Sequence, residues 1–276
     1  MSRHWFLTGA SSGIGRHLAE IILASGDDLT ATVRRPETLD DLAARYGDQL
    51  VVERLDVTVK GDIAPVVQRA EARRPVDVLV NNAGGGIIGA TEEFSDADIE
   101  GQISLNLLAP VHVTRAFIPA MRTRRAGRII QISSASGQGS LPTSSLYHAA
   151  KWGLEGFSEC LRQELEGFGV FVTLIEPGGA RTSFSRNLQY APANPAYKDT
   201  PAGQIRAMFE NAGDELYTLD PQKIAHRIFD TATSEKPPLR VALGGDAFGV
   251  IQAALKGRLS ALEAQESLAR SVAFDS

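Results

Sequence analysis

Cysteine is almost missing from this chain: Cys160 is the only one in 276 residues. A single cysteine closes no internal disulfide and supplies no zinc-finger ligand set, so a secreted disulfide scaffold and a zinc framework are both excluded. No run of 18 apolar residues occurs, which leaves no candidate membrane span. Basic charge is not in excess either. The 28 Lys and Arg are outnumbered by 33 Asp and Glu, for a formal net charge of −5. That balance argues against nucleic acid or an anionic membrane as partner. The opening residues, Met1 to Gly9, contain no long apolar stretch with a small-residue cleavage site, so no signal peptide is expected. No repeat and no compositional break divides the chain. Hydrophobic residues at 43% and charged residues at 22% are ordinary globular values. A chain of this length buries about 75% of its unfolded surface and needs no covalent staples. The expectation is one soluble, cytoplasmic domain over residues 1–276.

What is present is an alternation. Strand-like runs occur at Trp5 to Thr8, Leu29 to Val33, Val51 to Leu55, Val76 to Val80, Arg128 to Ile132, Val170 to Ile175 and Leu239 to Leu243. They are nearly continuous in apolar residues, as strands covered on both faces are. Helical stripes lie between them, among them Ile14, Leu18, Ile21 and Ile22, and then Leu154, Phe157, Leu161, Leu165 and Phe168. Ser95 with Asp98 reads as a cap opening a further helix. The pattern predicts βαβ units and a doubly wound parallel α/β sheet. Ser183 to Pro201 is irregular, and a segment of about residues 183–215 is expected to cover a site. From Asp246 to the end, about residues 246–276, a helical extension is expected.

The first strand runs into Thr8-Gly9-Ala10-Ser11-Ser12-Gly13-Ile14-Gly15. Glycines at a strand-to-helix turn let backbone N–H groups approach a pyrophosphate at the positive end of a helix. The spacing is G-x-x-x-G-x-G. By itself it also suits a tight turn under a closely packed helix. At the end of the second strand a dinucleotide site usually shows a carboxylate for the ribose 2′-hydroxyl. Here Arg34 and Arg35 stand instead. Two guanidinium groups suit a 2′-phosphate, which points to NADP(H) rather than NAD(H), with Arg34 the first contact.

Tyr147 and Lys151 are four residues apart in a helical pattern and share a face. An ammonium beside a phenol favours the phenolate and eases proton exchange near neutral pH. Ser134 lies just past the fifth strand, at the carboxyl edge of the sheet where ligands bind. Its hydroxyl can hydrogen-bond a carbonyl oxygen, and Ser133 and Ser136 are neighbouring candidates for that duty. Pro110 follows Asn106 by four residues. Having no N–H, it deprives the Asn106 carbonyl of its helical partner, and a freed carbonyl can hold an ordered water. His148, Trp152 and Cys160 read as packing or interface residues.

Together these residues resemble the short-chain dehydrogenase/reductase family, in its compact single-domain branch, over about Arg3 to Leu243. The markers are Gly9-x-x-x-Gly13-x-Gly15, Asp56 after the third strand, Asn81-Asn82-Ala83-Gly84, Asn106, Ser134, Tyr147-x-x-x-Lys151 and Pro177-Gly178-x-x-x-Thr182. A weaker likeness is to NADP-preferring members akin to 17β-hydroxysteroid dehydrogenases. Ser12 departs from those relatives that carry a basic residue before the second glycine. The resemblance implies a seven-stranded Rossmann-type parallel sheet of order 3-2-1-4-5-6-7, with helices on both faces. It implies Tyr147 as general acid/base, Lys151 on the nicotinamide ribose, Ser134 orienting a carbonyl and Asn106 holding a relay water. It further implies an NADP(H) site built from Gly9, Ser11, Ser12, Gly13, Ile14, Gly15, Arg34, Arg35, Asp56, Val57, Asn82, Ala83, Gly84, Tyr147, Lys151, Pro177, Gly178 and Thr182. No metal is expected. The activity implied is carbonyl reduction, reversible as alcohol oxidation, on a small-molecule ketone or secondary alcohol, by a homodimer or homotetramer. Two other readings are an NADPH-sensing regulator without turnover and nucleotide-sugar epimerisation or dehydration. Gly85 to Ala90, Ser136 to Thr143, Phe184, Leu188 and Tyr190 are the expected substrate walls.

Overall fold

The computed structural model describes residues 2–274. Its strands are β1 (His4–Thr8), β2 (Asp28–Val33), β3 (Leu50–Arg54), β4 (Val78–Asn81), the two-residue β5 (Ile87–Ile88), β6 (Gly127–Ile132), β7 (Val170–Pro177), the two-residue β8 (Gln189–Tyr190) and β9 (Arg240–Leu243). Seven form one parallel sheet in the order β3-β2-β1-β4-β6-β7-β9, while β5 and β8 pair only with each other. Without the two short strands, this is the 3-2-1-4-5-6-7 order that the family resemblance implies.

Successive residues of a strand face opposite sides, and β1 uses both. Trp5 and Leu7 join the apolar cluster under α1 (Gly13–Ala24), with Leu18 and Ile22. Phe6 faces the other cluster and meets Phe117 edge-on, ring centroids 4.8 Å apart. That second face carries α3 (Lys60–Arg73), reached after the short α2 (Asp40–Tyr46), then α5 (Ala109–Arg124) and α6 (Ser145–Leu165). Ile224 and Ile228 of α9 (Pro221–Thr233) complete the first face. Burying each such side chain contributes about 1.5–3 kcal/mol, which is why the central strands β1 and β4 are buried along their whole length.

Strand order reverses between β1 and β4, opening a crevice at the carboxyl ends of the strands. Ser95 caps α4 (Asp96–Ile103) as a full capping box: its Oγ accepts from Asp98 N at 3.2 Å, and Asp98 Oδ2 accepts from Ser95 N at 2.9 Å. Between α4 and α5, residues Ser104–Leu108 widen into a π turn, where Ala109 N donates to the Ser104 carbonyl five residues back. Pro110 withholds the N–H that an α-helix would offer the Asn106 carbonyl, and the backbone widens there.

The segment after β7 is less irregular than its sequence. It folds into α7 (Ser183–Arg186), β8 and α8 (Pro201–Glu210), the last opened by a Thr200 cap with proline at its first position. The chain ends in α10 (Gly245–Glu263) and α11 (Glu266–Arg270). Among the described residues, no helix is long and apolar enough to cross a membrane.

Candidate active site

The crevice is a cleft of about 1160 Å³. One end is built around the turn after β1. Thr8 Oγ1 accepts from the N–H groups of Asn82 and Ala83 at 3.0 and 3.1 Å, and the Asn82 side chain donates to the carbonyls of Thr8 and Gly9, both at 3.0 Å. The ends of β1 and β4 are thereby sewn together. Two glycines are required by this closeness. Gly9 has φ +71°, and a Cβ on it would lie 2.9 Å from Ala83 Cα. A Cβ on Gly15 would lie 2.3 Å from the Gly9 carbonyl oxygen. Gly9, Ser11, Ser12, Gly13 and Ile14 line the cleft, whereas Gly15 packs behind them and lets α1 approach. The first turn of α1 carries no acidic residue, so its positive end is free for an anion.

Arg34, Arg35, Asp56 and Val57 line the same end. Asp56 accepts from the N–H and the hydroxyl of Thr58, at 3.0 and 2.7 Å. These bonds, with Arg34 nearby, hold its carboxyl below the usual range. Across the cleft Thr182 caps α7, and Ser183 Oγ donates to Ser12 Oγ at 2.7 Å. The segment after Pro177 and Gly178 thus reaches over the glycine turn. Gly179 N donates to Asp246 Oδ2 at 2.7 Å, which ties this segment to the start of α10.

Asn106, Ser134, Tyr147 and Lys151 line the middle of the cleft. Lys151 is buried, and its Nζ donates to the Ile132 carbonyl at 2.8 Å while standing 5.6 Å from the Tyr147 ring centroid. The Ser134 side chain hydrogen-bonds Tyr147, and desolvation in the cleft pushes the phenolic hydroxyl up to about 12. The lowering expected from an ammonium neighbour is outweighed by desolvation, so the phenol is protonated at neutral pH. Burial pushes Lys151 down to about 8, opposed by the charge of Glu155. The Ser133 hydroxyl is engaged elsewhere, donating to Glu155 Oε1 at 2.5 Å. Of the three candidate serines, Ser134 is the one that reaches Tyr147. The Asn106 side chain clamps Gly85, accepting from its N–H at 3.3 Å and donating to its carbonyl at 3.0 Å.

The far end is apolar. Leu141, Phe184 and Leu188 line it, and the Phe184 ring centroid is 5.8 Å from that of Tyr147. Tyr190 does not line the cleft; it lies under the Arg206 guanidinium at 5.8 Å. Sequence reasoning missed Gln102, Met208, Phe209, Tyr217 and Val250, which also line it. They come from four separate segments and share no local signal. His148 and Trp152 both hydrogen-bond the Gly139 carbonyl, holding that loop against α6. Among the described residues, no cluster of three His, Cys, Asp or Glu could hold a metal.

Comparison with known proteins matches residues 3–192 to the profile of a family described as short chain dehydrogenase. Oxidoreductase BOA17 of Botryotinia fuckeliana is 35% identical over 250 residues, covering 90% of each chain. A short-chain dehydrogenase of Streptomyces avermitilis, solved by crystallography, superimposes with a TM-score of 0.91 at 38% identity, over 99% of this chain and 98% of that one. A metagenomic short-chain oxidoreductase solved in complex with NADP gives a TM-score of 0.70 at 27% identity, over 87% and 96% of the two chains.

Proposed function

The chain belongs to the short-chain dehydrogenase family and is an oxidoreductase of that fold, and from that premise we propose that it is an NADPH-dependent carbonyl reductase, reversible as an alcohol dehydrogenase. The observation that carries this reading is the meeting of Tyr147, Ser134 and Lys151 in one cleft with the glycine turn. The residues at the first end fit a dinucleotide. A crowded glycine turn and a helix start without acidic residues suit its pyrophosphate, and Asp56 suits its adenosine half. Arg34 and Arg35 favour the 2′-phosphate form. When bound, the dinucleotide supplies hydride to a carbonyl carbon. Ser134 and Tyr147 donate hydrogen bonds to the oxygen as charge develops on it. Tyr147 then gives up its phenolic proton to that oxygen, completing the alcohol. Lys151 would hold the cofactor ribose and, as an ammonium, would return a proton to Tyr147, and Asn106 fixes the Gly85 backbone beside this path.

The substrate end offers Leu141, Phe184, Leu188, Met208, Phe209 and Val250, and among the described residues no lysine or arginine lines it. This supports a neutral ketone with hydrophobic bulk. The test is the loss of NADPH absorbance against a panel of aryl, steroid and aliphatic ketones, with NADH in parallel. Faster oxidation of NADPH than NADH is expected, with the difference shrinking in Arg34→Ala. Tight NADPH binding with no turnover on the panel overturns the reductase reading and favours a sensor. Equal rates with both cofactors overturn the phosphate argument alone.

A further inference from the structure

Behind the Tyr147–Lys151 pair lies a second polar cluster that the reaction above does not use. Glu155 and Glu176 are only 5% and 2% exposed. Tyr147, Lys151 and Glu155 follow one another at steps of four along α6, so they form one stripe. That stripe engages three successive residues at the end of β6. Lys151 donates to the Ile132 carbonyl at 2.8 Å, Glu155 accepts from Ser133 Oγ at 2.5 Å, and Tyr147 hydrogen-bonds Ser134. Glu155 therefore holds the middle link of a chain whose outer links are the Lys151 anchor and the carbonyl-orienting serine.

The carboxyl group of Glu176, from β7, stands beside that of Glu155, and the two share the same partners. Gln138 Nε2 donates to both, at 3.4 and 3.2 Å, and its own Oε1 accepts from Arg258 of α10 at 3.1 Å. Arg240 of β9 donates through Nε to Glu155 Oε2 at 2.9 Å and lies 3.7 Å from Glu176 Oε1. Its Nη2 is engaged by Glu159 of α6 at 2.8 Å. One guanidinium thus serves three carboxyl groups. Two buried carboxylates in contact, with so little positive charge between them, retain a proton.

We propose that Glu155 and Glu176 are a proton-sharing carboxyl pair that positions Lys151 and Ser134, standing one negative charge behind the ammonium and pinning the end of β6. Two trends agree with this geometry. The Glu155 charge acts to keep Lys151 protonated against its burial. Burial and the Glu155 charge push Glu176 up to about 7, so at neutral pH it still holds a proton much of the time. The role assigned to Lys151 rests on the reductase reading, so the experiment keeps the two apart.

The Lys151 titration is followed by NMR of ¹³C-lysine-labelled full-length protein, its signal assigned by loss in Lys151→Met. In Glu155→Gln, which keeps an acceptor for Ser133 but loses the charge, the Lys151 midpoint falls by about one pH unit. The alkaline fall of kcat for NADPH-linked ketone reduction moves down with it. Glu159→Gln, which removes an exposed carboxylate from the same arginine, leaves both in place. Infrared spectra of the wild type show a carboxylic-acid C=O band that titrates near neutral pH and is missing from Glu176→Gln, a readout that survives if Glu155→Gln does not fold. An unmoved Lys151 midpoint in Glu155→Gln, or a wild type without the acid band, overturns the proposal. Absence of turnover in the wild type and in every variant overturns the reductase reading alone, because the NMR midpoint and the infrared band are read without substrate.

Discussion

At the scale of single residues, the cleft works by contrast between neighbours. Lys151 is buried and Tyr147 partly so, and desolvation moves them in opposite directions because it opposes charge on each: the phenol goes up to about 12 and the ammonium down to about 8. A protonated phenol beside a mostly charged lysine is the arrangement carbonyl reduction needs at neutral pH. Tyr147→Phe removes the donor but keeps the ring against Phe184. Turnover in the NADPH assay is expected to fall by about 10²–10⁴-fold, with NADPH affinity measured by fluorescence almost unchanged. A rate equal to wild type would remove Tyr147 from the mechanism. The residue types in this group were legible in the sequence from their spacing. The direction of the Tyr147 shift was not, since spacing reports a neighbouring charge and says nothing of desolvation.

At the scale of elements, one buried carboxylate helps to fasten the segment after β7, the proposed cover, to the body. Glu93, in the turn before α4, accepts from Ala90 N at 2.7 Å, Asn194 N at 2.6 Å and Arg206 of α8 at 3.3 Å. Its side chain is 4% exposed, and that of Arg206 is 14% exposed. Leaving buried donors without an acceptor costs about 1–3 kcal/mol. Glu93→Ala is therefore expected to loosen α8, whose Met208 and Phe209 line the apolar end. The expected result is a raised KM for the ketone with NADPH affinity preserved. A rise in both would place the effect on the fold rather than the cover. The sequence suggested a cover here because the stretch is long and irregular, but it hid α7, β8 and α8. Short elements of this kind are set by contacts with Glu93 and β5, far away in the chain.

At the scale of the whole molecule, the sheet edge gathers charge as well as ligands. Glu176 is pushed up to about 7, so between about pH 4.5 and 7 the folded protein holds a proton that the unfolded chain has released. This contribution to stability is complete below that window and is lost as pH rises through 7. Wild-type protein should lose more thermal stability between pH 5 and pH 8 than Glu176→Gln does, as read by circular dichroism. A larger loss in the variant would contradict the assignment of that proton to Glu176.

The sequence by itself determined seven strand-like runs alternating with helix stripes, and hence a doubly wound parallel sheet, while the order of the strands followed from the family resemblance. It also determined the glycine turn, the arginines after β2 and the Tyr147–Lys151 spacing, because each of these is a local pattern along one strand end or one helix face. Tertiary structure alone decided that Gly15 serves helix packing, that Asn106 clamps Gly85 and that Ser133 turns to Glu155 while Ser134 faces Tyr147. It also brought Glu176 and Arg240 from separate strands to the back of Lys151. The physical reason is that burial and charge pairing depend on which distant segments share a space, and no local period along a chain encodes that.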